Sequence, residues 1–162
     1  MTDFSKIACH YEKSSVVQKS ASDELFDLLK VNMADDVLDL GCGTGHLTKK
    51  IREITRGHVI GIDSAKGMIE KAIQNYSHFN ISFEVYSATD MNYSEQFDVI
   101  FCNSTFQWFK DPIPILKNCY RALRKNGRIG IQAPARRDYS PNFLEAVKCV
   151  EIDQRTMETF AH

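Results

Sequence analysis

Apolar positions along the chain switch between two periods. Thr2 to Ser20 is mostly polar, with Ala8, Tyr11, Val16 and Val17 scattered through it, and reads as an arm leading into a helix. Leu25, Phe26, Leu28 and Leu29 then form an apolar face at helical spacing. Asn32 to Asp35 supply the stop and the turn. Val37-Leu38-Asp39-Leu40 is a short apolar strand, followed by a glycine-rich turn and a helix carrying Leu47, Ile51 and Ile54. His58 to Ile62 reads as the second strand, and Met68, Ile69, Ala72 and Ile73 mark the next helix. Ile81 to Tyr86 alternates with period two and predicts a third strand. Phe97-Asp98-Val99-Ile100-Phe101-Cys102 is nearly continuous in apolar residues, as a strand buried on both faces requires. Ile115, Leu116, Cys119 and Leu123 give another helical stripe, ended by Asn126-Gly127. Arg128 to Gln132 is the fifth strand, and a last helix runs from about Pro141 to Gln154.

Strand and helix thus alternate, which predicts an α/β fold: a doubly wound, mostly parallel sheet with helices on both faces. Crossovers in such sheets are right-handed. Ligands bind beyond the carboxyl ends of the strands, at the point where strand order reverses.

At such an end lies Asp39-Leu40-Gly41-Cys42-Gly43-Thr44-Gly45. Glycines there let the backbone turn tightly and approach a ligand that a Cβ would keep away. The helix N-terminus behind them offers free N–H groups and a positive dipole end. Asp63 closes the second strand about 20 residues later, where an acid can hydrogen-bond ribose hydroxyls. Asp39, just before the glycines, would repel a pyrophosphate but accept from an ammonium group. The G-x-G-x-G spacing also departs from the G-x-G-x-x-G of dinucleotide-binding oxidoreductases, which leaves an NAD-dependent enzyme as a rival reading. A capping turn with two solvated acids is the plainer alternative.

Composition narrows the partners. The chain has 162 residues, which fits one domain with a sizeable core. Twenty basic residues face 21 acidic ones, so net charge gives no reason to expect nucleic acid or an anionic membrane. Its five cysteines are odd in number and include no C-x-x-C, which argues against a disulfide framework or a zinc knuckle. The N-terminus shows no signal-peptide core, and no apolar run approaches the ~20 residues of a membrane span. A cytoplasmic protein with reduced thiols is expected. His58, His78 and His162 have no partners at ligand spacing, so no metal is assigned.

Several segments carry a family likeness. Val37-Leu38-Asp39-Leu40-Gly41-Cys42-Gly43-Thr44-Gly45 resembles the first motif of class I S-adenosylmethionine-dependent methyltransferases, and the likeness continues through Gly61-Ile62-Asp63-Ser64, Phe97-Asp98-Val99-Ile100 and Leu123-Arg124-Lys125-Asn126-Gly127-Arg128-Ile129. Phe4-Ser5-Lys6, His10-Tyr11-Glu12 and Gln18 are similar to the N-terminal arm of malonyl-acyl-carrier-protein methyltransferases. Asn103-Ser104 with Gln107-Trp108 is similar to those enzymes and to trans-aconitate methyltransferases. Both groups methylate carboxylates.

The resemblance implies strand order 3-2-1-4-5 and S-adenosyl-L-methionine as cofactor, with S-adenosyl-L-homocysteine as product. Gly41, Gly43 and Gly45 would wrap the methionine part, and Asp39 would meet its amino group directly or through water. Asp63, with Ser64 beside it, would take the ribose, and Ala65 or Met68 would pack near the adenine. Asn103 would line the methyl-transfer channel, and Tyr11 would close over the cofactor. Many relatives end the third strand with Gly-Asp, whose acid faces the adenine amine. Here Ala88 stands in that place within Ser87-Ala88-Thr89-Asp90, so either Asp90 reaches back or backbone groups of Ala88 and Thr89 read the ring. The family has seven strands, and after Gln132 only 30 residues remain. The chain therefore reads as a single domain, 1–162, with an arm or lid at 1–20 and the start of a shortened C-terminal part at 134–162. A fifth strand left uncovered would be an exposed edge.

The remaining candidates are residues for the acceptor. His46 follows the glycine loop and reads first as a surface or capping residue. His10 lies in the arm and is a candidate substrate contact. Phe101, Phe106, Trp108 and Phe109 cluster at the end of the fourth strand; Phe101 reads as core, and Trp108 as a substrate wall or plain packing. Arg136 and Arg137 stand where they could bind an acidic substrate or form a solvated loop pair. Cys42 reads as a small packing residue. Methyl transfer from a sulfonium needs proximity and alignment from the protein, and a carboxylate acceptor needs no general base, which suits a sequence showing none. The expected acceptor is a small or carrier-bound molecule, with a carboxylate as the leading variant. An inactive cofactor-binding module or partner subunit is the alternative.

Overall fold

The computed structural model describes residues 16–133. Helix α1 (Val16–Leu29) leads into β1 (Val37–Leu40), and the chain continues through α2 (His46–Ile54), β2 (Val59–Asp63), α3 (Lys66–Tyr76), β3 (Ser82–Val85), β4 (Phe97–Asn103), α4 (Pro112–Ala122) and β5 (Leu123–Gln132). The strands pair in the order β3-β2-β1-β4-β5, and every pairing is parallel. That is the expected sheet, and its order reverses between β1 and β4.

Alternation along the central strands separates two cores. Val37 of β1 with Val99 and Phe101 of β4 points to one face, where Leu25 and Leu29 of α1 and Ile51 of α2 cover them. Leu38, Leu40, Ile100 and Cys102 point to the other, against Ile115, Cys119 and Ala122 of α4. Both faces of β1 and β4 are therefore covered, which explains their nearly unbroken apolar sequence. Ala88 and Met91, in the connection from β3 back to β4, fill the α4 side.

One glycine and one arginine seat α1 on the sheet. A Cβ on Gly130 of β5 would lie 2.7 Å from Leu29 Cγ, so only a bare backbone lets this helix pack so closely. Arg128 Nε donates to Leu29 O at 2.6 Å, and its guanidinium reaches Lys30 O and Asp35 Oδ2. It thereby satisfies carbonyls that a helix C-terminus leaves unpaired. A Cβ on Gly57 would meet Asp35 O at 2.3 Å, where the turn after α2 passes under the start of β1.

The amino ends of the strands carry an ionic network. Arg124 reaches Asp36 Oδ2 and Asp98 Oδ2 at 2.7 Å each, while Asp36 Oδ1 accepts from His58 N at 2.6 Å. Burial alone would raise the Asp36 carboxyl, but the His58 amide and the Arg124 guanidinium together hold it below the ordinary range. A concavity of about 350 Å³ opens here, lined by Arg52, His58, Asn80, Gln96 and Arg124 among others. It lies at the strand ends opposite the glycine loop.

Some apolar stripes are less buried than their spacing predicts. Leu28 is 73% exposed, and Ile54, Ile73 and Leu116 also face outward. Each lies at the margin of its stripe, beyond the arc that touches the sheet. The fourth helix stops four residues before Asn126-Gly127. Leu123 caps it in an extended conformation and begins β5. The pairing jumps from Phe97↔Leu123 to Val99↔Arg128, so Arg124 to Gly127 form a bulge, with Asn126 at φ 67°. The glycine signal marked that bulge, not a helix end. The expected helix from Pro141 to Gln154 lies outside the described residues.

Candidate functional site

The loop after β1 is built by hydrogen bonds from its own backbone. Gly41 N and Cys42 N both donate to Ile62 O, at 2.8 and 3.0 Å, and Gly45 N donates to Cys42 O at 3.0 Å. Gly41, Gly43 and Gly45 have φ of 78°, 55° and 83°, the left-handed region in which a Cβ is strained. Gly45 caps α2 in that conformation. Its Cβ would meet the Phe83 ring at 2.8 Å, so this glycine also lets the loop pass close over that side chain. Around Gly43 the space is open, with nothing within 4 Å of the Cβ position. A ligand can approach the backbone there.

The two predicted acids sit at adjacent strand ends with different surroundings. Asp63 Oδ2 accepts from Gly43 N at 3.0 Å and Oδ1 from Ala65 N at 2.8 Å, so its carboxylate ties the glycine loop to the start of α3. Burial raises its pKa and these two amides oppose the rise. Each oxygen keeps a lone pair for a further donor. Asp39 is only 2% exposed and turns inward, accepting from Thr48 Oγ1 at 2.6 Å. Burial pushes its carboxyl up to about 7, with the Thr48 hydroxyl working against the rise and the charge of Asp63 adding to it.

That elevation has a consequence for stability. Between about pH 4, where an ordinary aspartate ionises, and about pH 7, folded Asp39 holds a proton that the unfolded chain releases. Its contribution is fully present below the lower value and is lost as pH rises through the upper one. Asp39→Asn should therefore stabilise the unliganded protein by about 4 kcal/mol at pH 8 and by well under half of that at pH 5, read as a rise in melting temperature. Equal effects at both pH values would refute the buried-acid account.

Beyond β3, Ala88 is buried, while Thr89 and Asp90 are exposed. Asn118 of α4 donates to Ala88 O at 3.0 Å and to Thr89 O at 2.9 Å, and the Ser87 hydroxyl accepts from Thr89 N. Both carbonyls thus already have a donor. Ser64 is exposed next to Asp63, Ala65 is half-buried, and Met68 is buried in α3.

The end of β4 is less satisfied. Ser104 stands at φ 54°, held by Gln132 on β5 through its backbone N–H and its hydroxyl. Such strain persists only where neighbours enforce it. Asn103 Nδ2 donates to Ser104 Oγ and Gln107 Nε2 to Ser104 O, yet Asn103 Oδ1 and Gln107 Oε1 are buried without a partner. An orphaned buried acceptor is costly, and a hydrogen-bond donor from a ligand would relieve it. Trp108 is 52% exposed near this end of the sheet.

Sequence reasoning therefore places Asp39, the three glycines, Asp63, Ser64 and Asn103 along the carboxyl ends of β1, β2 and β4. His46 is exposed at the start of α2. Cys42 packs its Cβ and Sγ where a Cβ on Gly61 would come within 3.0 Å, and burial raises its thiol well above the ordinary value. It is a packing residue. Tyr11, His10, Arg136 and Arg137 lie outside the described residues. Thr48, Thr105 and Asn118 carry no signal in the linear pattern; Gln107 carries one, through its place beside Trp108. Among the described residues no cluster of histidines, cysteines or carboxylates is arranged to hold a metal, and no helix is long and apolar enough to cross a membrane.

An open parallel sheet with a glycine turn after its first strand and an acid closing its second is the architecture of a nucleoside-binding α/β domain. Comparison with known proteins specifies it further. A family described as "Methyltransferase domain" matches residues 31–160, and the chain belongs to that family. The malonyl-[acyl-carrier protein] O-methyltransferase of Acetivibrio thermocellus is 32% identical over 127 residues, covering 76% of this chain and 45% of that protein. The chain spans about half the length of the curated relatives it matches. Among solved structures, an S-adenosyl-L-methionine-dependent methyltransferase structure from Methanococcus maripaludis superposes with a TM-score of 0.69 at 18% identity, over 99% of this chain and 83% of that one. Phosphoethanolamine N-methyltransferase 1 of Haemonchus contortus, solved with S-adenosylhomocysteine, gives a TM-score of 0.63 at 25% identity, over 82% of this chain and 33% of that one.

Proposed function

We propose that this domain binds S-adenosyl-L-methionine at the carboxyl ends of β1, β2 and β4, in a protein that methylates a small or carrier-bound acceptor. The observation that carries the reading is the open glycine loop tied to Asp63. The left-handed glycines leave space at Gly43, and the Asp63 carboxylate stands at its rim with lone pairs free. These residues fit an adenosine-containing amino acid. The carboxylate suits ribose hydroxyls, the acid-lined loop suits an ammonium group, and the half-buried Ala65 and buried Met68 suit an adenine face. Asp39, just before the glycines, would be a poor neighbour for a pyrophosphate, which disfavours a nicotinamide dinucleotide.

When bound, the cofactor supplies an electrophilic methyl group. The residues here would supply what the protein must add: Asp63 would hold the nucleoside end, the glycine loop the amino-acid end, and Asn103 would line the path between cofactor and acceptor. None of these steps needs a proton removed by the enzyme if the acceptor is an ionised carboxylate. The likeness to malonyl-[acyl-carrier protein] O-methyltransferases makes a carrier-bound carboxylate the leading acceptor.

The test is transfer of labelled methyl to malonyl-acyl-carrier protein, with free malonate and an unloaded carrier as controls. Labelling of the malonyl carrier alone supports the carrier-bound reading, and labelling of free malonate only would replace it. Cofactor binding with no transfer to any of the three removes malonate and its carrier as acceptors and favours an inactive binding module or partner subunit.

A further inference from the structure

The switch point between β1 and β4 is bridged by one side chain. Thr105, two residues beyond β4, lies over Gly41, the first residue beyond β1. A Cβ on Gly41 would fall 2.2 Å from Thr105 Oγ1 and 2.3 Å from its Cγ2, so the threonine occupies the space that the missing side chain leaves. Its hydroxyl is 3.2 Å from Gly41 O and 3.2 Å from Asn103 O. One hydroxyl proton serves both carbonyls, one from each strand end. The methyl and the hydroxyl together fix how far the glycine loop stands from the end of β4.

From this geometry we infer that Thr105 is a positioning residue for the cofactor's amino-acid part, acting through its hydroxyl on Gly41. The inference rests on the cofactor reading above. Gly41 begins the loop that would wrap that part of the ligand; its backbone stands at φ 78° and its carbonyl accepts from the Thr105 hydroxyl. A valine at this position keeps the shape and removes the hydroxyl; a serine keeps the hydroxyl and removes the methyl. Neither residue change touches Asp63 or the nucleoside side of the site.

The experiment is calorimetric titration of the whole chain, as wild type, Thr105→Val and Thr105→Ser. The two probes are S-adenosylhomocysteine and 5′-methylthioadenosine, which lacks the amino-acid part. Thr105→Val should bind S-adenosylhomocysteine about tenfold more weakly, because the loop that would hold the amino-acid part loses its tie to the end of β4. It should bind 5′-methylthioadenosine as wild type does, and Thr105→Ser should stay within about threefold of wild type for both. A valine variant that binds S-adenosylhomocysteine like wild type overturns the inference. So does equal weakening toward both probes, which marks a general structural lesion, and so does a serine variant as weak as the valine. A folded wild type that binds neither probe overturns the cofactor reading itself, and the inference with it.

Discussion

Asp63→Ala is expected to lower affinity for S-adenosylhomocysteine about a hundredfold, the largest effect on binding of any single change considered. Two contributions combine. Hydrogen bonds from ribose hydroxyls to a carboxylate are charge-assisted, worth about 1.5–3 kcal/mol each. In the folded chain the same carboxylate accepts from Gly43 N and Ala65 N, so its removal leaves two loop amides unpaired and frees the glycine loop from α3. Asp63→Asn separates the two. Its carbonyl oxygen can still hold one amide, while the charge and one acceptor are gone, so an intermediate loss of about tenfold is expected. Titration calorimetry reads both, with thermal melting confirming that each variant is folded. An alanine variant that binds as tightly as wild type would remove Asp63 from the site.

Gly41→Ala should carry the largest cost in stability, about 2–5 kcal/mol. A left-handed conformation costs a residue with a Cβ about 1–2 kcal/mol, and forcing a methyl into filled space adds about 1–3 kcal/mol. Here the methyl would overlap Thr105 Oγ1, Cγ2 and Cβ at 2.2, 2.3 and 2.6 Å. A fall of about 10 °C in the melting temperature of the unliganded protein follows. Gly43→Ala is the contrast. It shares a positive φ but meets nothing within 4 Å, so its stability cost is confined to about 1–2 kcal/mol. Its effect should appear in ligand affinity, because its methyl would stand in the open space. If the two variants melt alike, crowding by Thr105 does not define the loop.

The contrast also shows what the sequence could reveal. Glycines at 41, 43 and 45 announced a tight turn between strand and helix, and the unbroken apolar run from Phe97 to Cys102 announced a strand covered on both sides. Both rest on local chemistry that a linear pattern carries. What lies over each glycine does not. Thr105 is 64 positions from Gly41 and carries no period or spacing of its own. Thr48 was equally silent, because its hydroxyl matters only through the turn that swings α2 back onto β1. The end of α4 escapes the linear pattern for a related reason. Asn126-Gly127 favours a left-handed residue wherever it occurs, and only the pairing with β4 shows that here it makes a bulge inside β5. Asp39 was recognised as an acid beside the loop, but its inward turn and raised pKa come from burial, which needs the packed core to be known.

The order of the sheet was legible through resemblance, since alternation of strands and helices gives parallel pairing but not which strands are neighbours. Once the order is in place, the functional geometry follows. β1 and β4 lie side by side at the reversal, their loops diverge, and Asp63 arrives from β2 on the same edge.

The most direct test of this account is calorimetric titration of the 162-residue chain with S-adenosylhomocysteine, run beside NADH. The account predicts saturable binding of S-adenosylhomocysteine with one site per chain and no binding of NADH. A folded chain that binds NADH and not S-adenosylhomocysteine would contradict it.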